Sequence, residues 1–98
     1  MTQQTNINEI LAERGKRYGE FITHARITQD FKRLQHHYTI TPLTDDMQES
    51  LDMIFHKIGR IINGDPEYAD SWVDIAGYAQ LVATRLTEKE RISQELKI

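Results

Sequence analysis

The sequence contains no cysteine. Disulfide scaffolds, thiolate zinc sites and cysteine nucleophiles are therefore excluded together. It has no run of about 18 apolar residues, the length a membrane-spanning helix needs. The N-terminal MTQQTNINEI lacks the basic region and apolar stretch of a secretory signal. A cytoplasmic location without a membrane partner is the resulting expectation. Only two prolines and five glycines occur, and no segment alternates strictly enough to read as a strand. The 98 residues fit one domain, read as residues 1–98. A chain so short buries only a modest core, so a homo-oligomer is expected to supply further stability.

What is present is helical periodicity and unevenly spread charge. Residues 9–37 carry six Lys/Arg against four Asp/Glu, whereas residues 45–74 carry two against eight. So acidic a middle argues against nucleic acid as a partner. It would suit a basic patch on another protein, and two ordinary solvated faces would give the same pattern.

Helix one is expected to open at Asn6, with Glu9 as capping-box partner and Ile7, Ile10 and Leu11 as its apolar face, and to stop at Gly15. Helix two opens near Thr23 and carries His24, Ile27, Phe31, Leu34 and Tyr38 at three- and four-residue steps. Helix three starts at Thr44, shows the clearest apolar stripe (Met47, Leu51, Ile54, Ile58, Ile61, Ile62) and closes at Asn63-Gly64. Asp65-Pro66 reads as a cap and first helical position that restart helix at once. Helix four runs from about Asp70 to Leu86, with Trp72, Ile75, Ala76, Ala79, Val82 and Leu86 expected to be buried. Ala76, Gly77, Ala79 and Ala83 would let a neighbouring helix come close. Residues 87–98 read as a short extra helix or a frayed tail. The expected architecture is an all-α, four-helix bundle-like domain whose helices three and four form a core antiparallel hairpin.

Four constellations carry chemistry. Glu49 and Asp52 lie three apart on helix three, and Asp70 and Asp74 lie four apart on helix four. If the helices pack as a hairpin, these carboxylates can converge, and Mg²⁺ would relieve their repulsion. Such an ion can hold nucleotide phosphates and activate water, with Glu49, Asp52 and Asp74 as the candidate catalytic acids and Lys57 and Arg60 on the phosphates. Asp74 sits between apolar positions and needs a partner, which Lys57, Arg60 or a metal could supply. A solvated face with pairs one turn apart accounts for the same spacing.

The second constellation is Arg14-Gly15-Lys16-Arg17-Tyr18-Gly19. Lys16 and Arg17 could contact a phosphate and Tyr18 could stack on a base, or the segment is simply a basic helix C-terminus. Among the histidines, His36 and His37 point apart, His24 reads as a hydrogen-bonded core residue, and His56 is kept as a candidate acid/base, phosphate or base contact. Lastly, Trp72 reads as core and Tyr78 as a further candidate base contact.

Laid out in this way, the chain resembles a family of small phage and prophage proteins of unknown function, through ILAERGKRYGEF, ESLDMIFHKIGRIINGDPEYADSW and DIAGYAQLV, from about Ile10 to Leu86. More distantly, helices three and four resemble the MazG-like all-α nucleotide pyrophosphohydrolases, which carry an E-E-x-x-E helix followed by an E-x-x-D helix. The first motif falls on Gln48-Glu49-Ser50-Leu51-Asp52 and the second on Ser71-Trp72-Val73-Asp74, so Gln48 and Ser71 depart from it. The resemblance implies an oligomeric helical bundle that binds Mg²⁺ and cleaves nucleoside triphosphates to the monophosphate and pyrophosphate. Three functions are carried forward: such an enzyme, a nucleotide-binding or sequestering module with an eroded metal motif, and an acidic factor acting on a host protein. Phage origin would place it in the host cytoplasm.

Overall fold

The computed structural model describes residues 2–97, with side-chain exposure from Asn6 onward. Four helices follow one another: α1 (Thr2–Tyr18), α2 (Phe21–Tyr38), α3 (Asp45–Asn63) and α4 (Ala69–Leu96). Among the described residues there is no strand. The all-α class and the four helices agree with expectation, and α3 begins and ends where its cap signals place it.

Helix α3 is the middle of the molecule, packing on α2 and on α4, while among the described residues α4 packs on α3 alone. Two ion pairs fix an antiparallel register. Lys57 Nζ lies 2.9 Å from Asp74 Oδ2, and Arg85 joins Asp46 at the other end of the hairpin. Ser71, Ile75, Tyr78, Val82 and Leu86 turn toward α3 at three- and four-residue steps. The expected buried stripe is therefore rotated. Trp72 is 55% exposed and donates from Nε1 to the Pro66 carbonyl at 2.8 Å, while Ala76, Gly77, Ala79 and Ala83 face outward.

Four boundaries differ from the sequence reading: both ends of α1, the restart of helix after Asp65-Pro66 and the end of α4. Helix α1 begins at Thr2, so Asn6 lies inside it, and it runs through Gly15 to Tyr18. A single glycine costs a helix about 1 kcal/mol without ending it, and the turn after Gly15 is held by Arg17 and Tyr18. Gly19, at φ +76°, makes the break. A Cβ there would lie 2.0 Å from the Asn63 carbonyl oxygen, so the position needs both the left-handed backbone and the missing side chain. After Asp65-Pro66 the chain forms a turn, with Asp65 Oδ1 accepting from the Glu67 amide at 2.9 Å, and helix resumes only at Ala69. Finally, α4 is unbroken to Leu96. No glycine or proline follows Gly77, and Arg91 bridges Glu88 and Glu95 along the helix.

The turn between α1 and α2 docks on the turn after α3. Asn63 Nδ2 donates to the carbonyls of Tyr18 at 2.8 Å and Glu20 at 2.9 Å. Around them, the Arg60 guanidinium lies 4.1 Å from the Tyr18 ring centre, Tyr18 meets Tyr68 edge-on at 6.3 Å, and Arg17 lies 4.4 Å over Tyr68. This pair of tyrosine rings, with an arginine against each, holds the two turns together.

Candidate functional site

Helices α2 and α3 approach most closely at Gly59. A Cβ there would fall 2.8 Å from His24 Cδ2 and 2.9 Å from Thr28 Cγ2. Because Gly59 has none, His24 reaches α3 and donates from Nε2 to the His56 carbonyl at 2.8 Å. The two imidazoles meet edge-on, 4.5 Å apart. His24 is 5% exposed, as expected for a hydrogen-bonded core histidine.

This contact stands between two hollows that share His56. The first, of about 370 Å³, lies where the C-terminal end of α1 meets α2 and α3; Arg14, Tyr18, Phe21, His24, His56 and Arg60 are among its walls. The second, of about 270 Å³, runs along the α2–α3 seam and is lined by Thr28, Lys32, Glu49, Asp52, Met53 and His56. Because His56 borders both, we treat them as one groove, with Arg14, Arg60, Glu20 and aromatic rings on one side of His56 and Lys32, Glu49 and Asp52 on the other.

The His56 imidazole is held down to about 4 from the usual 6.5, first by burial and then by Arg60, His24, Lys57 and Lys32. It is therefore neutral at pH 7, in a field that favours an anion. Asp52 is oriented by its neighbour one turn back. Gln48 Nε2 donates to Asp52 Oδ1 at 2.9 Å and to Gln35 Oε1 at 2.8 Å, while Gln35 Nε2 returns a bond to Gln48 Oε1 at 3.1 Å. The Gln48 amide thus ties Asp52 to α2.

The expected cluster of four carboxylates does not assemble within one chain. Glu49 and Asp52 share the α2–α3 hollow. Asp74 is paired with Lys57 on the α3–α4 side, and Asp70 accepts from the Tyr68 hydroxyl at 3.0 Å at the start of α4. Among the described residues no three His, Asp or Glu side chains are grouped to hold a metal ion. Glu49 and Asp52 nevertheless suit a Mg²⁺ ion whose other ligands are water and phosphate, since that ion is commonly held by one or two carboxylates.

Of the expected phosphate contacts, Arg60 lines the groove. Lys57 is engaged with Asp74, Arg17 with Glu13 and Tyr68, and Lys16 lies outside the groove walls. Of the expected base contacts, Tyr18 and His56 are in the groove, whereas Tyr78 lines a separate shallow hollow on α4 with Val73, Asp74, Gly77 and Leu81. Lys32 joins the site without having been singled out; Arg14 was part of the basic segment but not among its expected phosphate contacts, and His24 was expected only as a core residue. A signal for His24 was Gly59, a glycine in the middle of the strongest amphipathic helix, which marks a close approach.

No helix is long and apolar enough to cross a membrane among the described residues. No curated protein and no solved structure matches the chain. One family does, over residues 3–86, ending where α4 passes the start of α3: the chain belongs to the family described as a domain of unknown function, DUF6378.

Proposed function

We propose that this protein is a nucleotide-binding module that holds a nucleotide or nucleotide-derived small molecule in the α2–α3 groove. The observation that carries this is the convergence of Arg14, Arg60, Tyr18, His24 and His56 on one hollow of about 370 Å³, within the usual range of small-molecule sites. Arg14 and Arg60 supply donors for phosphate oxygens, and Tyr18 supplies an aromatic face for a base. His56, uncharged at neutral pH, offers a hydrogen bond without the desolvation cost of a charge. Glu49 and Asp52 lie one compartment further along, where a Mg²⁺ ion carried on the phosphates would meet them.

Binding without turnover is favoured over hydrolysis because Asp70 and Asp74, half of the expected acidic set, are engaged away from the groove. Calorimetric titration with ribo- and deoxynucleoside mono-, di- and triphosphates tests it, with and without Mg²⁺. Saturable binding that Arg60→Ala weakens supports the module, and absence of heat with every nucleotide by folded protein rules it out.

A second reading is Mg²⁺-dependent pyrophosphohydrolysis of the MazG-like kind. The pairing of Glu49 with Asp52 in one hollow favours it. Release of pyrophosphate from the same triphosphates, lost in Glu49→Gln, would establish turnover.

A further inference from the structure

We propose that a second copy of this chain covers the outer face of α4, over Val73, Ala76, Gly77, Gln80, Leu81 and Thr84. Three observations lead there, none of which depends on the nucleotide site.

The first is a thin core, in which the apolar stripe of α3 is only half-buried. Among the described residues no apolar side chain is fully buried. The buried side chains, His24, Thr28, Ser50 and Ser71, are polar and the remaining buried position is Gly59, whereas Leu81 is 67% and Val73 64% exposed. The chain extends over 66 × 29 × 26 Å, with a radius of gyration of 17.9 Å against about 12.6 Å for a compact domain of this length. Its accessible surface is 7718 Å², where a compact monomer of 11.5 kDa presents about 5,800 Å². The excess, about 1,900 Å², is more than twice the roughly 800 Å² per partner that a standard interface buries.

The second is the composition of α4. From Ile75 to Thr84 the helix carries no charged residue on any side, yet it packs on α3 alone. A helix that is apolar all round is buried all round; here only Gln80 and Thr84 interrupt the apolar and small residues of the outer face, and among the described residues that face has no cover within the chain.

The third is Gly77. It sits mid-helix on this face, and a Cβ there would have nothing within 4 Å. Nothing inside the chain requires a glycine that costs about 1 kcal/mol relative to alanine. The backbone of a second helix lying across Gly77 would use the open space.

A second copy, rather than another protein, follows from the first observation. A chain whose apolar side chains are at best half-buried gains stability from cover, and that gain is dependable only from a partner present wherever the chain is made. Only the chain itself meets that condition. A two-fold contact of α4 on α4 uses the same surface twice and closes without leaving a free copy of it.

Sedimentation equilibrium of the full chain is the first test, with a dimer of about twice the 11.5 kDa chain expected at micromolar concentration. The thermal midpoint should rise with protein concentration, because assembly and folding are linked. Location is tested by cysteine placement, which the cysteine-free sequence makes clean. Gln80→Cys should give disulfide-linked dimers under mild oxidation, and Ile10→Cys on α1 should not. Leu81→Glu should lower the midpoint at fixed concentration more than the equally exposed Ile22→Glu on α2. A cooperatively folded monomer at every concentration would overturn the proposal. So would a dimer that cross-links through position 10 and not through position 80.

Discussion

His24 donates to the backbone carbonyl of His56, not to its ring, and the two imidazoles stand edge-on 4.5 Å apart over Gly59. The bond pins α2 to α3 at a point where a polar group would otherwise be buried alone. It also leaves the His56 ring free to face both halves of the groove. Gly59→Ala places a methyl within 3 Å of His24 and Thr28, on rigid helical backbone. A loss of about 1–3 kcal/mol is expected, as for other overpacked sites. Urea unfolding at a fixed protein concentration measures it, and an unchanged midpoint would mean that the helices do not meet there.

The depressed His56 has a pH signature. The unfolded chain takes up this proton near 6.5, the folded chain only near 4. Between those values the unfolded state binds more protons, so stability rises with pH across that window and is lost as pH falls through it. Thermal melts from pH 4 to 7 should show the slope, and His56→Gln should flatten it. NMR titration of the four histidines reads the same group directly. A bound phosphate should move the His56 midpoint upward by offsetting the surrounding cations, and a midpoint near 6.5 in the free protein would contradict its burial.

Arg60 both stacks on Tyr18 and lines the groove. Removal of a charge-assisted contact to phosphate costs about 1.5–3 kcal/mol, so Arg60→Ala should weaken nucleotide binding by roughly 10- to 100-fold. Arg60→Lys should recover part of that, because it keeps the charge and loses the planar fork. Equal affinities for all three proteins would place the ligand elsewhere.

Lys57 and Asp74 form a pair between α3 and α4, with Lys57 12% and Asp74 45% exposed. Half of the pair faces water, so a double-mutant cycle of Lys57→Met and Asp74→Asn should give a coupling of only about 1 kcal/mol. Asp74→Asn should leave nucleotide affinity within about twofold, since this pair lies outside the groove, and distant sites act independently. A large loss of affinity would bring Asp74 into the site.

Asp46 is pulled down to about 2 from 3.8, first by its hydrogen bond from Arg85 and then by Thr44. Its contribution is therefore present above pH 3.8 and lost as pH falls through about 2. Arg85→Gln should return the Asp46 carboxyl toward its ordinary range, which carbon-detected NMR would show.

Much of the fold was legible because helix signals are local. Thr44 with Asp45 and Asp46, the stripe from Met47 to Ile61 and the Asn63-Gly64 stop delimit α3 without reference to anything else. The partnership of Asp74 was foreseeable for a similar reason, since an acid among apolar neighbours requires a cation within reach and Lys57 is one of few. The end of α1 was misplaced by four residues because Gly15 and Gly19 look alike in sequence. Only the fit of Gly19 against Asn63 distinguishes them.

Periodicity determined which residues share a face of each helix. It placed Glu49, Asp52 and His56 on one ridge of α3 and Asp70 and Asp74 near one another on α4. Which neighbour each ridge meets was decided only by tertiary structure, because spacing defines angles about a helix axis and says nothing of how that axis is rotated in the bundle. With α3 between α2 and α4, its acidic ridge turns to α2 and Lys57 turns to α4. Two carboxylates therefore join His56, Arg60 and Tyr18 in one groove, while the other two remain at the far side of the hairpin.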